Sequence, residues 1–80
     1  MSISISALNQ LTPGTSAVIH QVKAHGSLQR RLLDLGFIEG TPINCLHRSP
    51  AGDPVAYNIR GTVIALRAED SGQILICRSV

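Results

Sequence analysis

The side chains best able to bind a metal ion are two cysteines and three histidines. Cys45 and His47 stand two residues apart in a predicted strand, so they would project from the same side of it, as paired ligands can. His20, His25 and Cys77 could supply further ligands. The chain lacks the C-x₂-C spacing that is typical of zinc sites. We therefore interpret Cys45 as a core residue and His47 as a solvated strand end, and we predict neither a metal site nor a cofactor.

Groups suited to catalysis are equally sparse. The sequence contains no G-x-S-x-G element for a nucleophile, no G-x-x-x-x-G-K-[ST] phosphate-binding loop and no G-x-G-x-x-G dinucleotide motif. Only five residues are acidic, and two of them, Glu69 and Asp70, are adjacent in a predicted exposed turn. We predict that the chain is not an enzyme and has no catalytic residues.

Composition limits the remaining classes of protein. The 80 residues have 44% hydrophobic and 15% charged side chains and a formal net charge of +2, which fit one small folded domain over residues 1–80. This slight charge argues against a dedicated nucleic-acid or membrane-surface binder, and Tyr57 alternates with Val55 and Ile59 as a buried residue would. No stretch reads as a membrane span or a signal peptide, so we expect a cytoplasmic protein.

Strands are the main elements that the sequence predicts. Apolar and β-branched runs bounded by turn residues indicate five strands, at residues 17–22, 41–48, 55–59, 62–66 and 74–80. Residues 2–5 alternate serine and isoleucine, which is typical of either a frayed strand or an ordered arm. Single helical turns are expected after Ser6 and over residues 67–72. Five short strands in so small a chain favour a partly closed barrel, because closure hides strand edges.

One longer helix is predicted at residues 28–35, between the first two of these strands. Ser27 is the expected N-cap, and Gly36 is the expected left-handed residue after the helix. Phe37 would then fold back on the apolar side of the helix. That side is a stripe of three leucines: Leu28, Leu32 and Leu35.

Two exposed features could bind a partner. On the helix, Arg30 and Arg31 form the only basic pair, and Leu33 lies off the apolar stripe. The second feature is the loop of residues 49–54, in which prolines limit flexibility and Asp53 can cap backbone N–H groups. Simpler interpretations stay open: the arginines can be a solvated helix face, Leu33 can complete the core, and the loop can be a rigid hairpin connection.

Several segments in series resemble the ferrous iron transport protein A family, FeoA. The resemblance extends over residues 8–76. It is carried by L-T-P-G at 11–14, R-L-L-D-L-G-F-I-E-G at 31–40, S-P-A-G-D-P at 49–54, R-G at 60–61 and I-A-L-R at 64–67.

The resemblance implies a mainly β protein, a small SH3-like five-stranded barrel with one short helix inserted after the first strand. It also implies a non-enzymatic cytoplasmic accessory of ferrous iron uptake that binds and modulates FeoB, a membrane transporter with a GTP-binding domain. We expect contact with the cytoplasmic region of FeoB and no direct insertion into the membrane. The candidate partner-binding residues are Arg30, Arg31, Leu33, Phe37, Pro50 and Asp53.

Other functions stay open beside this one. A similar module forms the C-terminal domain of iron-dependent repressors, so the alternative is a metal-sensing or metal-binding SH3-like domain that uses Cys45, His47 or other histidines. A proline-peptide-binding SH3 domain is a third hypothesis, weakened because Tyr57 and Phe37 are the only aromatic residues. A homo-oligomer is also possible.

Overall fold

A single antiparallel sheet of six strands organises residues 2–79, which are the residues that the computed structural model describes. The strands are β1 (Ile3–Ala7), β2 (Ser16–Val22), β3 (Pro42–Arg48), β4 (Val55–Ile59), β5 (Thr62–Leu66) and β6 (Ile74–Ser79), in the spatial order β1-β6-β2-β3-β4-β5. Helix α1 (Gly26–Asp34) connects β2 to β3, and the four-residue α2 (Ala68–Ser71) connects β5 to β6. A 3₁₀ turn, Leu8–Gln10, follows β1.

The mainly β architecture and the five predicted strands are confirmed, but three details of the prediction are wrong. The one expected helix, α1, follows the second strand and not the first, and α2 is a second helix. A sixth strand, β1, pairs with β6, and the last predicted strand is β6, whose expected final residue, 80, lies outside the described residues. The sheet is not closed into a barrel: among the described residues, β1 and β5 are its two ends and do not pair with each other. Each of these strands has only one neighbour in the sheet, so both leave an open edge.

The core combines apolar side chains of the sheet with those of α1 and of the 3₁₀ turn. The alternation of β4 predicts its contribution well, because Tyr57 and Ile59 have no exposed surface. Phe37 is also completely buried, so neither aromatic side chain is available at the surface. The other residues with at most 1% exposure in the apolar cluster are Leu8, Leu11, Ile19, Ala24, Leu32, Ile43, Cys45, Ile74 and Ile76.

The motif that ends α1 is the predicted one, although the last helical residue is Asp34 and not Leu35, and the helix begins differently. Gly36 has φ 107°, and the N–H groups of Gly36 and Phe37 donate to the carbonyl oxygens of Leu33 and Leu32, both at 3.0 Å, which is a Schellman motif. The N-cap is His25, not Ser27, and it makes no side-chain capping bond. The helix therefore starts two residues earlier than predicted. None of the described helices is long and apolar enough to cross a membrane.

The apolar stripe of α1 is shorter than predicted. Leu32 is fully buried and Leu28 is partly buried against the core. Leu35, the expected third member, is 37% exposed. Leu35 is the C-cap, and the chain turns away from the helix at Gly36, immediately after it.

Candidate partner-binding surface

The C-terminal half of α1 and the segment after it expose three apolar side chains. Leu33 is 43% exposed, Leu35 37% and Ile38 47%. We call these three residues the α1 patch. Because Leu33 is exposed, the interpretation that it completes the core is wrong. Leu35 is exposed although the sequence predicts it in the apolar stripe, and Ile38 is a surface residue that the sequence did not single out. Each of these exposed apolar side chains is a candidate for anchoring a partner.

The two arginines of α1 lie on its exposed side, as predicted. Arg31 forms an ion pair with Asp70 of α2, with 3.6 Å between Nη2 and Oδ2, and the Arg31 side chain is 60% exposed. A pair this exposed adds little stability, at most about 1 kcal/mol. Arg30 has no acidic partner among the described residues, so its guanidinium is free to bind a carboxylate.

The loop of residues 49–54 is folded by its own backbone. The Ser49 N–H donates to the Pro54 oxygen at 3.1 Å, and the Gly52 N–H donates to the Ser49 oxygen at 2.8 Å. Gly52 has φ 90°, a left-handed conformation in which glycine carries no Cβ penalty. Pro50 is exposed at the tip of the loop. The hairpin connection that the sequence favours is therefore present.

Asp53 joins this loop to α2. Its Oδ1 accepts a hydrogen bond of 2.9 Å from the N–H of Ala68, the first residue of α2. The predicted capping role of Asp53 is thus confirmed, although the helix that it caps is 15 residues further along the chain. Since Arg31 contacts Asp70 and Asp53 contacts Ala68, α2 connects the helix α1 to the 49–54 loop.

Five of the six predicted partner-binding residues are thus placed on two features joined by α2. Phe37 is the exception, and its expected place on the exposed surface is wrong. The Schellman turn brings the chain back under the end of the helix, so the aromatic side chain fills the core. Phe37 supports the position of the α1 patch and is not itself available to a partner.

Arg60 also supports the end of α1, and sequence reasoning missed this role. It is the only described residue other than glycine with positive φ, 52°, and it forms the predicted tight turn between β4 and β5 together with Gly61. A Cβ added to Gly36 would lie 2.9 Å from Cδ of Arg60. The side chain of Arg60 therefore lies against Gly36. This contact joins residues 24 positions apart, and no local pattern in the sequence indicates it.

The possible metal ligands on β3 point apart. Cys45 is 1% exposed, whereas His47 is exposed to solvent. Cys45 is opposite Tyr57 and His47 is opposite Ala56, so Leu46 is an extra residue on β3, a β-bulge. The bulge interrupts the alternation of the strand, and the expectation that Cys45 and His47 project to the same side is wrong.

The other candidate ligands do not assemble with them. His20 is partly buried on β2, His25 is exposed at the start of α1, and Cys77 is partly buried on β6. The four residues between His20 and His25 match a spacing seen in zinc sites. Within residues 2–79, however, no three histidine, cysteine or acidic side chains are grouped so that they could hold a metal ion.

Two buried side chains on β3 and β4, Cys45 and Tyr57, have shifted pKa values. Burial raises the pKa of the Cys45 thiol above its ordinary value, and the positive charge of Arg48 only partly opposes this effect. Burial likewise raises the pKa of Tyr57, with a hydrogen bond involving Ser71 acting in the opposite direction. At neutral pH both groups are therefore uncharged, and Cys45 serves as a packed apolar side chain.

Known proteins resemble this chain along most of its length. The FeoA domain model matches residues 7–78. A Fe(2+) transport protein A/Fe(2+) transporter FeoB fusion protein of Porphyromonas gingivalis is 37% identical over 67 residues, which make up 84% of this chain and 8% of the fusion protein. The chain therefore spans only a small part of that relative.

Solved structures give the same result for the fold. Iron(II) transport protein A of Clostridium thermocellum is 31% identical with a TM-score of 0.83, over 88% of this chain and 43% of that chain. FeoA of Stenotrophomonas maltophilia, solved in complex with zinc and described as an SH3 domain protein, is 30% identical with a TM-score of 0.79, over 88% of this chain and 87% of that chain.

A manganese-dependent transcriptional repressor shares the fold alone. It is 13% identical, with a TM-score of 0.81 over 95% of this chain and 42% of the repressor chain. The family match is much more specific, because the FeoA domain model matches 72 consecutive residues of the sequence, 7–78. The SH3-like fold inferred from the sequence is therefore confirmed, and the chain belongs to the FeoA family, which is associated with ferrous iron transport.

Proposed function

We propose that this chain is a non-enzymatic accessory domain that binds the cytoplasmic region of the ferrous iron transporter FeoB and modulates iron uptake. The observation that carries the proposal is the Porphyromonas relative, in which a domain related to this chain and the transporter form one polypeptide. Fusion holds two domains at high effective concentration, which favours a functional contact between them. The proposal requires the chain to be located in the cytoplasm.

The contact is best made by the α1 patch together with Arg30, Arg31 and the tip of the 49–54 loop. Leu33 offers an apolar side chain that a pocket of the partner can bury. The guanidinium of Arg30 can form a forked hydrogen bond with a carboxylate beside that pocket. We therefore expect FeoB to present a hydrophobic pocket with an acidic rim.

Two contacts help to order this surface in the free protein. Asp53 fixes the loop to the first N–H of α2, and the Arg31–Asp70 pair joins α2 to α1. A surface that is ordered in the free protein loses little conformational entropy on binding. Asp53 thus acts by positioning the surface, and Arg31 both positions it and is exposed enough to touch FeoB beside the α1 patch, Arg30 and Pro50.

Binding to the purified cytoplasmic region of FeoB, measured by biolayer interferometry, tests the proposal. We expect Leu33→Glu to weaken binding by about tenfold or more, as for a central apolar contact. Val63→Glu is the matched control, because Val63 is an apolar residue of β5 with 64% exposure. The absence of binding by the unmodified chain at tens of micromolar, or an equal loss in both variants, would contradict the proposal.

Metal sensing stays the alternative function. What favours it is the zinc bound by the Stenotrophomonas FeoA, which is 30% identical to this chain. The alternative needs a ligand set in this chain, and the described residues provide none within one cluster. The two functions give opposite results in a metal titration, which is described in the Discussion.

A further inference from the structure

The outer edge of β1 is an unpaired strand edge in the described structure. β1 pairs with β6 alone, in five consecutive antiparallel pairs from Ile3↔Ser79 to Ala7↔Leu75, with no bulge. The other side of the strand therefore has free backbone N–H and C=O groups, which are a template for another strand.

The side chains of β1 do not block such pairing. Ile3 is 70% exposed and Ile5 is 53% exposed, and they alternate with Ser4 and Ser6. Proteins usually protect an open edge with lysine, proline, a bulge or an inward-pointing charge. β1 has none of these features, and the first charged residue of the sequence is Lys23.

The opposite edge of the sheet, β5, is chemically different. It exposes one large apolar side chain, Val63, and it has Arg60 before it and Arg67 after it. If two copies of β5 paired in antiparallel fashion, Arg60 of one copy would approach Arg67 of the other. Repulsion between like charges disfavours that arrangement. The charge-free strand β1 has no such obstacle.

We propose that β1 pairs with β1 of a second copy of this chain, in antiparallel orientation about a two-fold axis. An interface of this kind must be complementary to itself, and the alternation of β1 meets this condition. Ile3 and Ile5 of the two copies would lie together on one face of the joined sheet, with Ser4 of each copy on the other face. We infer a second copy as the partner because β1 carries no charge and exposes isoleucines, so two identical strands can pair without repulsion.

The nearest basic residue on β6 does not oppose the dimer. Arg78 lies opposite Ser4 in the pairing of β1 with β6. In the joined sheet the two copies of Arg78 would be three strand spacings apart, about 14 Å. This exceeds the screening length of about 8 Å at physiological ionic strength, so their repulsion is small.

We expect the dimer to be weak and reversible. Pairing one five-residue strand buries less than the roughly 800 Å² per partner that is typical of stable complexes. The fraction of dimer should therefore depend strongly on protein concentration. The dimer edge is on β1, whereas the surface proposed for FeoB is on α1 and the 49–54 loop, so the two proposals can fail separately.

Sedimentation velocity of the full chain, from about ten micromolar to about one millimolar, tests the proposal by mass action. We expect the mean mass to rise from that of a monomer towards that of a dimer. Ile5→Lys should raise the dissociation constant by about tenfold or more, because it places charges beside each other at the pairing edge. Val63→Lys, on the other edge strand, should leave the dissociation constant unchanged.

Ile3→Lys provides a second variant at an even more exposed position of β1, and circular dichroism checks that each variant is folded. A chain that stays monomeric at every concentration overturns the proposal. So does an equal effect of Val63→Lys, which would place the β5 edge in the contact. A monomeric chain whose binding to FeoB is lost in Ile5→Lys would also overturn it, because the occupant of β1 would then be a strand of FeoB.

Discussion

Leu32 and Leu33 are adjacent leucines with different roles. Leu32 has no exposed surface, and its carbonyl oxygen accepts the bond that closes the Schellman motif, whereas the side chain of Leu33 is 43% exposed. We predict that Leu32→Ala lowers the free energy of unfolding by about 2–5 kcal/mol, through loss of burial and creation of a cavity. Leu33→Ala should change it by only about 0.5 kcal/mol. Urea denaturation of the two variants measures both values. Equal losses of unfolding free energy would show that Leu33 is packed in the core like Leu32.

Burial of Cys45 and Tyr57 makes stability depend on alkaline pH. Both groups have a raised pKa in the folded state, chiefly because the interior disfavours their charged forms. A raised folded pKa gives stability that is fully present below the unfolded pKa and is lost as the pH rises through the folded pKa. The ordinary values are 9.0 for Cys45 and 10.0 for Tyr57, so we predict that the free energy of unfolding falls above about pH 9.

Removing one titrating group at a time measures this effect. Tyr57→Phe keeps the ring in the core and removes the hydroxyl, so stability should fall less steeply above pH 10 than in the unmodified chain. Cys45→Ala should reduce the loss that begins near the ordinary thiol value, 9.0. Denaturation series between pH 7 and about pH 11 give the slopes. Slopes identical to that of the unmodified chain would show that neither group is linked to unfolding.

At the scale of the elements, α2 depends on contacts made by distant residues. Asp53 accepts a bond from the Ala68 N–H, and Asn9 Nδ2 donates to the Ala68 oxygen at 3.3 Å. A four-residue helix does not persist alone, so these contacts must hold it. We predict that Asp53→Ala lowers the free energy of unfolding by about 1 kcal/mol, as loss of a helix cap does, and that Asp53→Asn has a smaller effect.

Hydrogen exchange locates the effect of Asp53. In Asp53→Ala the N–H of Ala68 should exchange faster, because it loses its side-chain acceptor. Arg31→Ala is the matched control on the other side of α2, since it removes only an exposed ion pair and should cost less. Unchanged exchange at Ala68 in Asp53→Ala would exclude the capping role.

The end of α1 allows backbone strain to be separated from steric contact. Gly36 and Gly40 both have positive φ, 107° and 91°, but only at Gly36 would an added Cβ meet another side chain, Cδ of Arg60 at 2.9 Å. We predict that Gly40→Ala lowers the free energy of unfolding by about 1–2 kcal/mol through strain alone. Gly36→Ala should cost more, and Arg60→Ala in the same chain should recover only the excess. Thermal unfolding compares the variants, and equal losses at the two glycines would contradict the contact with Arg60.

These elements show which parts of the fold the sequence can predict. Gly36 and Phe37 specify the end of α1 locally, and the alternation of β4 indicates its buried side, so both predictions are correct. The bulge at Leu46 depends on how β3 pairs with β4, and no spacing within β3 reveals it. The alternation of serine and isoleucine at residues 2–5 fits either a frayed strand or an ordered arm, and only the pairing of β1 with β6 decides between them.

At the scale of the whole molecule, family resemblance predicted more than residue patterns did. It gave the SH3-like fold and the association with ferrous iron transport, both of which the comparisons confirm. The resemblance did not predict the open sheet. In the described residues β1 pairs with β6 and not with β5, and this arrangement depends on the packing of strands far apart in sequence. The open sheet leaves the outer edge of β1 unpaired among the described residues, and this edge is not part of the α1 patch.

A metal titration distinguishes an accessory domain from a metal sensor. A ligand that binds only the folded state raises its stability in a saturable way, by about 2.7 kcal/mol at 100 times the dissociation constant. We predict no saturable rise in the unfolding temperature when Fe²⁺ or Zn²⁺ is added without oxygen, because Cys45 is a neutral thiol in the core and His47 lies in solvent on the other side of the bulge. Calorimetry of the unmodified chain, with and without the metal, measures the unfolding temperature.

A saturable rise that is lost in His20→Gln or His25→Gln would favour metal sensing, since the ligands would then lie along the connection from β2 to α1. A rise lost in Cys77→Ser would instead place the metal at β6.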